Sequence, residues 1–299
     1  MISAGAARRL AWGALAALVF IAGGVLFDPR AAVEGIAALG PSPVLSSVPY
    51  GEGVRRTLDA YAPTAPREGA PIVVFFYGGS WNSGAKEAYR FIGAALALRG
   101  LAAVIPDYRV YPDVRFPAFL EDGAAVVRWA KDNAARLHGD PRRIIVMGHS
   151  AGAYIAAMLA FDRHFLNAVG VTQEDLCGVI GLAGPYSFLL HSDLLRGVFG
   201  SAPDQTATQP INFVDRNAPP AFLATGTEDE TVRPKNTFDL AERIHSAGGQ
   251  ATVVIYSHIT HRQLIGAFSP ALRFLAPVLD DVTAFVERVS TRCSPAARD

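Results

Sequence analysis

The stretch Arg143-Ile144-Ile145-Val146-Met147-Gly148-His149-Ser150-Ala151-Gly152 decides the fold. Its apolar run reads as a short buried strand. Residues Ala151–Ala160 follow with no turn signal and read as a helix. Between strand and helix stands Ser150, with a glycine two positions away on either side. Strand, Gly-x-Ser-x-Gly and helix, in that order, make the pattern of a nucleophile elbow. In such a turn a serine is lifted above the C-terminal edge of a sheet. Glycines at the flanking positions let the chain double back without a side-chain clash.

Outward from this stretch the same grammar repeats. Short apolar runs at 71–76, 101–106, 178–183, 221–226 and 251–256 read as strands buried on both faces, as in a parallel sheet. Val54–Tyr61 alternates and reads as an edge strand. Helical patterns fall at Lys86–Leu98, Phe119–Leu137, Pro234–Ala247 and 274–289. Strands alternating with helices predict an α/β domain whose mostly parallel sheet, of about eight strands, is flanked by helices. Residues 187–217 fit neither pattern and lie between two core strands, where a lid or cap can be inserted.

Of the 299 residues, 51% are hydrophobic, ample for a core spanning 47–292. Basic and acidic residues balance at 27 each, so the chain lacks the electrostatic footprint of a nucleic-acid binder. Residues 10–27 carry no charge and follow Arg8-Arg9. That length sits at the short limit of a membrane span, about 17–25 residues. It exceeds the apolar core of a signal peptide, about 7–15 residues. We read 1–30 as an apolar helix acting as signal-anchor or signal peptide, 31–46 as a linker and 293–299 as a tail. The domain is then held at the inner membrane outside the cytoplasm, or released as a secreted or periplasmic protein. Only the N-terminal segment touches the membrane. A start codon assigned too early would instead make the protein cytoplasmic. Cys177 and Cys293 read as a buried thiol and a tail thiol in preference to a bridge. Neither Cys-x-x-Cys nor His-Glu-x-x-His occurs, so no metal and no cofactor is expected.

A serine hydroxyl needs a base to take its proton. In this architecture the chain order is Ser, then Asp or Glu, then His. Of the acids after Ser150, only the cluster Glu228-Asp229-Glu230 directly follows a predicted core strand. Asp229 is the preferred acid and Glu228 the alternative. His261 and His258 both follow the strand 251–256; His261 is preferred, because a loop of a few residues must carry the ring over the sheet edge. His149 reads as packed in the elbow. An oxyanion needs preorganised donors. One is the N–H of Ala151; the other comes from the loop Tyr77-Gly78-Gly79-Ser80-Trp81. Trp81 and Phe188, with residues from 187–217, are candidate pocket walls.

Four stretches together resemble the α/β-hydrolase superfamily. They are Tyr77-Gly78-Gly79-Ser80-Trp81, Asp107-Tyr108-Arg109-Val110-Tyr111-Pro112, Gly148-His149-Ser150-Ala151-Gly152, and Gly226…Asp229…Val232 with Tyr256…His261. The likeness is greatest to carboxylesterases with a His-Gly-Gly oxyanion motif: the hormone-sensitive-lipase-like, feruloyl-esterase-like and kynurenine-formamidase-like group. It implies the α/β-hydrolase fold and a Ser150–His261–Asp229 triad. It also implies oxyanion N–H groups on Gly79 and Ser80, and a small-molecule ester substrate. The chain departs from the group where Tyr77 stands in place of histidine, and where Ser257-His258-Ile259-Thr260 replaces a glycine-rich turn. An arylformamidase, amidase or peptidase would use the same triad. A membrane-tethered binding protein with an impaired site is the reading from another class. Oligomeric state is not legible.

Overall fold

The computed structural model describes residues 40–65 and 68–293. The apolar segment 10–27, residues 31–39 of the stretch read as a linker, and residues 294–299 lie outside them. Among the described residues no helix is long and apolar enough to cross a membrane.

Eight strands form one sheet: β1 (Leu45–Pro49), β2 (Thr57–Tyr61), β3 (Ala70–Phe76), β4 (Ala102–Pro106), β5 (Gly139–His149), β6 (Leu176–Leu182), β7 (Ala221–Gly226) and β8 (Ala251–Tyr256). Their spatial order is β1-β2-β4-β3-β5-β6-β7-β8. The first two pairings are antiparallel and the other five parallel. The helices are α1 (Arg90–Leu98), α2 (Ala118–Asp132), α3 (Ala151–Phe161), α4 (Arg163–Ala168), α5 (Asp193–Phe199), α6 (Lys235–Ser246), α7 (His261–Gly266) and α8 (Val278–Arg292). This is the mostly parallel, helix-flanked sheet that the apolar runs predict.

The order corrects several expectations. Val54–Tyr61 holds not an edge strand but β2, buried along most of its length between β1 and β4. The edge is β1, which begins at Leu45, inside the stretch read as a linker. Its outward residues are polar, so no apolar run announces it. Conversely, Ala251–Tyr256 is as apolar as the central runs, yet β8 is the opposite edge, with Ile255 46% exposed. The helical pattern 86–98 divides into a 3-10 turn at Lys86–Tyr89 and α1; the pattern 119–137 divides into α2 and a 3-10 turn at Ala134–Leu137. Pro277 stands at the N-cap of α8, so that helix begins later than its periodicity suggests.

Helix α3 fixes the centre of the molecule. All eleven of its residues are buried, and six are Ala or Gly. Small side chains let it lie close against β3, β5 and β6.

Cys177 and Cys293 are bonded, which corrects the reading of two separate thiols. Helix α8 buries Val278, Val282, Phe285, Val286 and Val289. Phe285 meets Phe222 of β7 at 5.6 Å. That packing brings the helix end, Cys293, to a Cα–Cα distance of 5.9 Å from Cys177 at the start of β6. In the chain-entropy view, closing a loop of about 100 residues stabilises the native state by about 4.7 kcal/mol. We therefore expect a reductant to lower the melting temperature of the wild type. Cys293→Ser should show a similarly lowered value that no longer responds to reductant. Equal melting temperatures with and without reductant in the wild type would contradict the bridge.

Candidate active site

Strand β5 ends at His149 and α3 begins at Ala151, leaving Ser150 alone at the turn. Its backbone sits at φ 55° and ψ −123°. Such a conformation costs a non-glycine residue about 1–3 kcal/mol and persists only where the surroundings over-determine it. Here they do. The Ser150 N–H donates to the Leu182 carbonyl at 2.9 Å, and the Ser150 carbonyl accepts from Ala153 at 2.9 Å. The glycines have a steric reason: a Cβ on Gly148 would lie 2.1 Å from the Gly152 oxygen, and one on Gly152 would lie 2.0 Å from the Phe76 oxygen. Ala151 opens α3, so its N–H has no acceptor within its own helix and faces the turn.

β7 and β8 pair in parallel, with Gly226 opposite Tyr256. The loops leaving them therefore start side by side. Asp229 follows three residues after the first strand and His261 five after the second. His261 Nδ1 lies 2.7 Å from Asp229 Oδ2. The other carboxylate oxygen accepts N–H groups from Thr231 at 3.0 Å and Val232 at 2.8 Å. The carboxylate is wholly buried, and the imidazole is 11% exposed. An ionised acceptor on Nδ1 holds the proton there and leaves Nε2 as the free lone pair. His261 is also the first residue of α7, whose start is fixed by a Thr260–Gln263 capping box. The alternatives Glu228 and His258 pair with each other at 3.0 Å on the outside, their side chains 54% and 90% exposed.

The elbow and the histidine loop touch through His149. Its Nε2 donates to the His261 carbonyl at 3.0 Å, and the two rings are 4.6 Å apart. Ser150 is thereby held next to the His261 loop. On the other side, a Cβ on Gly78 would sit 3.0 Å from the Ser150 Cβ. Gly79, Ser80 and Trp81 continue the loop at positive φ (143°, 51° and 58°). The Gly79 carbonyl accepts from the N–H groups of Asn82 and Ser83, both at 3.0 Å. Tyr77, where the resemblance expects histidine, is fully buried; its hydroxyl donates to Asp107 at 2.7 Å.

Ser150, Ala151, Ser80 and Trp81 line one cavity of about 520 Å³. One wall is apolar, with Phe188, Leu194 and Leu195 from the 187–217 insertion. Trp81 stacks on Phe188 at 5.9 Å and meets Phe199 edge-on at 4.9 Å. Polar groups also line the cavity: His191 and Ser192 from the insertion, and Glu230, Arg233 and Asn236. Sequence reasoning named Glu230 only within the acidic cluster and passed over Arg233 and Asn236, which follow Asp229 within seven residues. Among the described residues no group of His, Cys, Asp or Glu is arranged to hold a metal ion.

Burial, and then the neighbouring His261 ring, push the His149 pKa down to about 3. The ring is neutral at working pH and serves as a neutral donor. An unfolded histidine titrates near about 6.5, so between the two values the unfolded chain binds the extra proton. The contribution is complete above about pH 6.5 and is lost as the pH falls toward 3, about 2–3 kcal/mol by pH 4.5. His149→Gln keeps a donor and cannot titrate. Its melting temperature should fall less steeply between pH 6.5 and 4.5 than that of the wild type. Parallel pH slopes would refute this account.

Comparison with known proteins places the chain in a family. The BD-FAE family model matches residues 58–244. A probable isoprenylcysteine alpha-carbonyl methylesterase of Arabidopsis thaliana is 28% identical over 74% of this chain and 51% of its own length. Carboxylesterase NlhH of Mycobacterium tuberculosis is 41% identical over 33% of this chain and 32% of its own. The chain spans about half the length of the plant relatives it matches. A truncated carbohydrate esterase from gut microbiota superposes with a TM-score of 0.71 at 22% identity, over 84% of this chain and 100% of that one. The last likeness establishes the α/β-hydrolase fold. With its family model covering more than half the residues, the chain belongs to the BD-FAE family.

Proposed function

We propose that the protein is a serine hydrolase that cleaves a carboxylic ester through an acyl-enzyme. The observation that carries this reading is the buried Asp229–His261 hydrogen bond at 2.7 Å, beside a strained elbow serine. Ser150 attacks the acyl carbon while His261 Nε2 takes its proton. His261 then returns the proton to the departing alcohol. Water repeats the sequence on the acyl-enzyme and releases the acid. Asp229 stabilises the imidazolium that forms in each half-reaction. The N–H groups of Gly79, Ser80 and Ala151 face the developing oxyanion, a kind of interaction worth about 3–4 kcal/mol per donor. The esterases among the relatives support the same chemistry.

The acyl group is read as apolar, because Trp81, Phe188, Leu194 and Leu195 line the cavity that Ser150 opens into. We also read the domain as working outside the cytoplasm. The support is the Cys177–Cys293 bridge, since disulfides persist in oxidising compartments.

Hydrolysis of p-nitrophenyl esters from acetate to laurate tests the reading. Ser150→Ala and His261→Ala should each lower kcat by about 10⁴-fold or more with the fold intact. Turnover that survives either change would refute the triad. A wild type that labels with a fluorophosphonate yet hydrolyses no ester would point to an amide or formamide substrate. Trp81→Ala should shift the preferred acyl length upward; an unchanged profile would remove Trp81 from the acyl wall.

A further inference from the structure

Arg55 lies in the connection between β1 and β2, outside the cavity and every motif described above. Its φ is +63° and its side chain is half-buried. One guanidinium nitrogen, Nη2, donates to the Tyr77 hydroxyl at 3.0 Å and to the Gly84 carbonyl at 2.8 Å. Nε donates to the Tyr108 carbonyl at 3.0 Å. Tyr77 and Gly84 are the two ends of the loop that carries Gly78, Gly79, Ser80 and Trp81. A single cation therefore ties that loop shut at its base.

Tyr77 is held by everything around it. Its hydroxyl donates onward to Asp107 Oδ1 at 2.7 Å, and its carbonyl accepts from the Tyr108 hydroxyl at 2.7 Å. Its ring stacks between Tyr89, centroids 5.3 Å apart, and Tyr108, centroids 4.7 Å apart. Asp107 Oδ1 also accepts the Lys86 N–H at 2.9 Å, just beyond Gly84. Burial, aided by Tyr108 and Asp107, pushes the Tyr77 hydroxyl pKa far up, so it remains a proton donor to Asp107. Among the described residues Arg55 has no carboxylate within ion-pair distance. Its charge is directed to three neutral oxygens, all belonging to the loop or its support. The planar fork of an arginine serves several acceptors at fixed angles, which the point charge of a lysine does not.

We propose that Arg55 is a positioning residue for the oxyanion loop, acting through Tyr77 and Gly84, with Asp107 completing an Arg55–Tyr77–Asp107 relay. The catalytic part of the proposal rests on the ester-hydrolase reading above. Gly78 immediately follows Tyr77 and lies against the Ser150 side chain, so slack at the loop base reaches the donors of Gly79 and Ser80 directly. These donors act on charge that develops only in the transition state. Loss of the clamp should therefore appear in kcat and not in KM.

The test uses the full chain with Arg55→Met, Arg55→Lys and Tyr77→Phe. Three quantities are read on each: kcat and KM for p-nitrophenyl butyrate, Ki for an alkyl trifluoromethyl ketone, and hydrogen exchange of the amides of residues 78–83. Arg55→Met and Tyr77→Phe should each lower kcat by about 10- to 100-fold with KM within about 2-fold. Ki should rise in step with the loss of kcat/KM, because the ketone adduct uses the same donors. Arg55→Lys should fall between wild type and Arg55→Met. The double variant Arg55→Met/Tyr77→Phe should lose less than the product of the two single losses, since the two residues share the Arg55–Tyr77 contact. Exchange should quicken at 78–83 and not in β3 or β5. Unchanged exchange at 78–83 overturns the proposal whatever the turnover. So does a loss of kcat with no rise in Ki. If the wild type hydrolyses no ester while Arg55→Met still quickens exchange at 78–83, the clamp stands and the ester reading falls.

Discussion

Everything at this site depends on a steric constraint: there is no room for a Cβ at the elbow. Gly148 and Gly152 approach each other and the Phe76 carbonyl at distances that only a bare Cα permits. That closeness sends α3 back across the sheet immediately after β5 and forces Ser150 into a costly conformation. The cost is sustained by the parallel neighbours, since Leu182 at the end of β6 accepts the Ser150 N–H. The central helix must then be small-sided and wholly buried, and it is. One short turn thus dictates the composition of α3, the register of β3, β5 and β6, and the direction in which the serine hydroxyl points.

The parts of the site legible in the sequence are those whose chemistry is local. The elbow, the glycine-rich loop and the order Ser150, Asp229, His261 each sit at the end of an apolar run, and parallel pairing brings the ends of such runs to one edge. Pairing of β7 with β8 explains why Asp229 and His261 meet while Glu228 and His258 turn outward. What stayed hidden is set by contacts distant in sequence. Arg55 reaches its three acceptors from a turn that periodicity assigns to a strand. The bridge between Cys177 and Cys293 spans 116 residues and follows from how α8 packs, which spacing does not encode. Strand β1 was hidden for a simpler reason: an edge strand with outward polar residues has no buried-strand signature.

The loops share a design. Each functional side chain is fixed by backbone groups or by side chains that do not themselves face the cavity. Asp229 is satisfied by two amides of its own turn, and His261 by a capping box and its carbonyl's bond to His149. The loop from Tyr77 to Gly84 is held by Arg55, Tyr108 and Asp107. Groups fixed before substrate arrives need no reorganisation during reaction, which is where preorganised electrostatics gains over water.

His149 shows how the two halves of this design are joined without a competing charge. In the proposed mechanism, a cationic partner at that position would repel the His261 imidazolium, 4.6 Å away. An acidic one would draw a proton from the same ring and weaken its tie to Asp229. A histidine kept neutral by burial escapes both faults: its Nε2 donates to the His261 carbonyl, and its buried Nδ1 has no proton donor as a partner. The residue between Gly148 and Ser150 therefore fixes the distance from the elbow to the His261 loop, and among the described residues Asp229 is the one acid paired with His261.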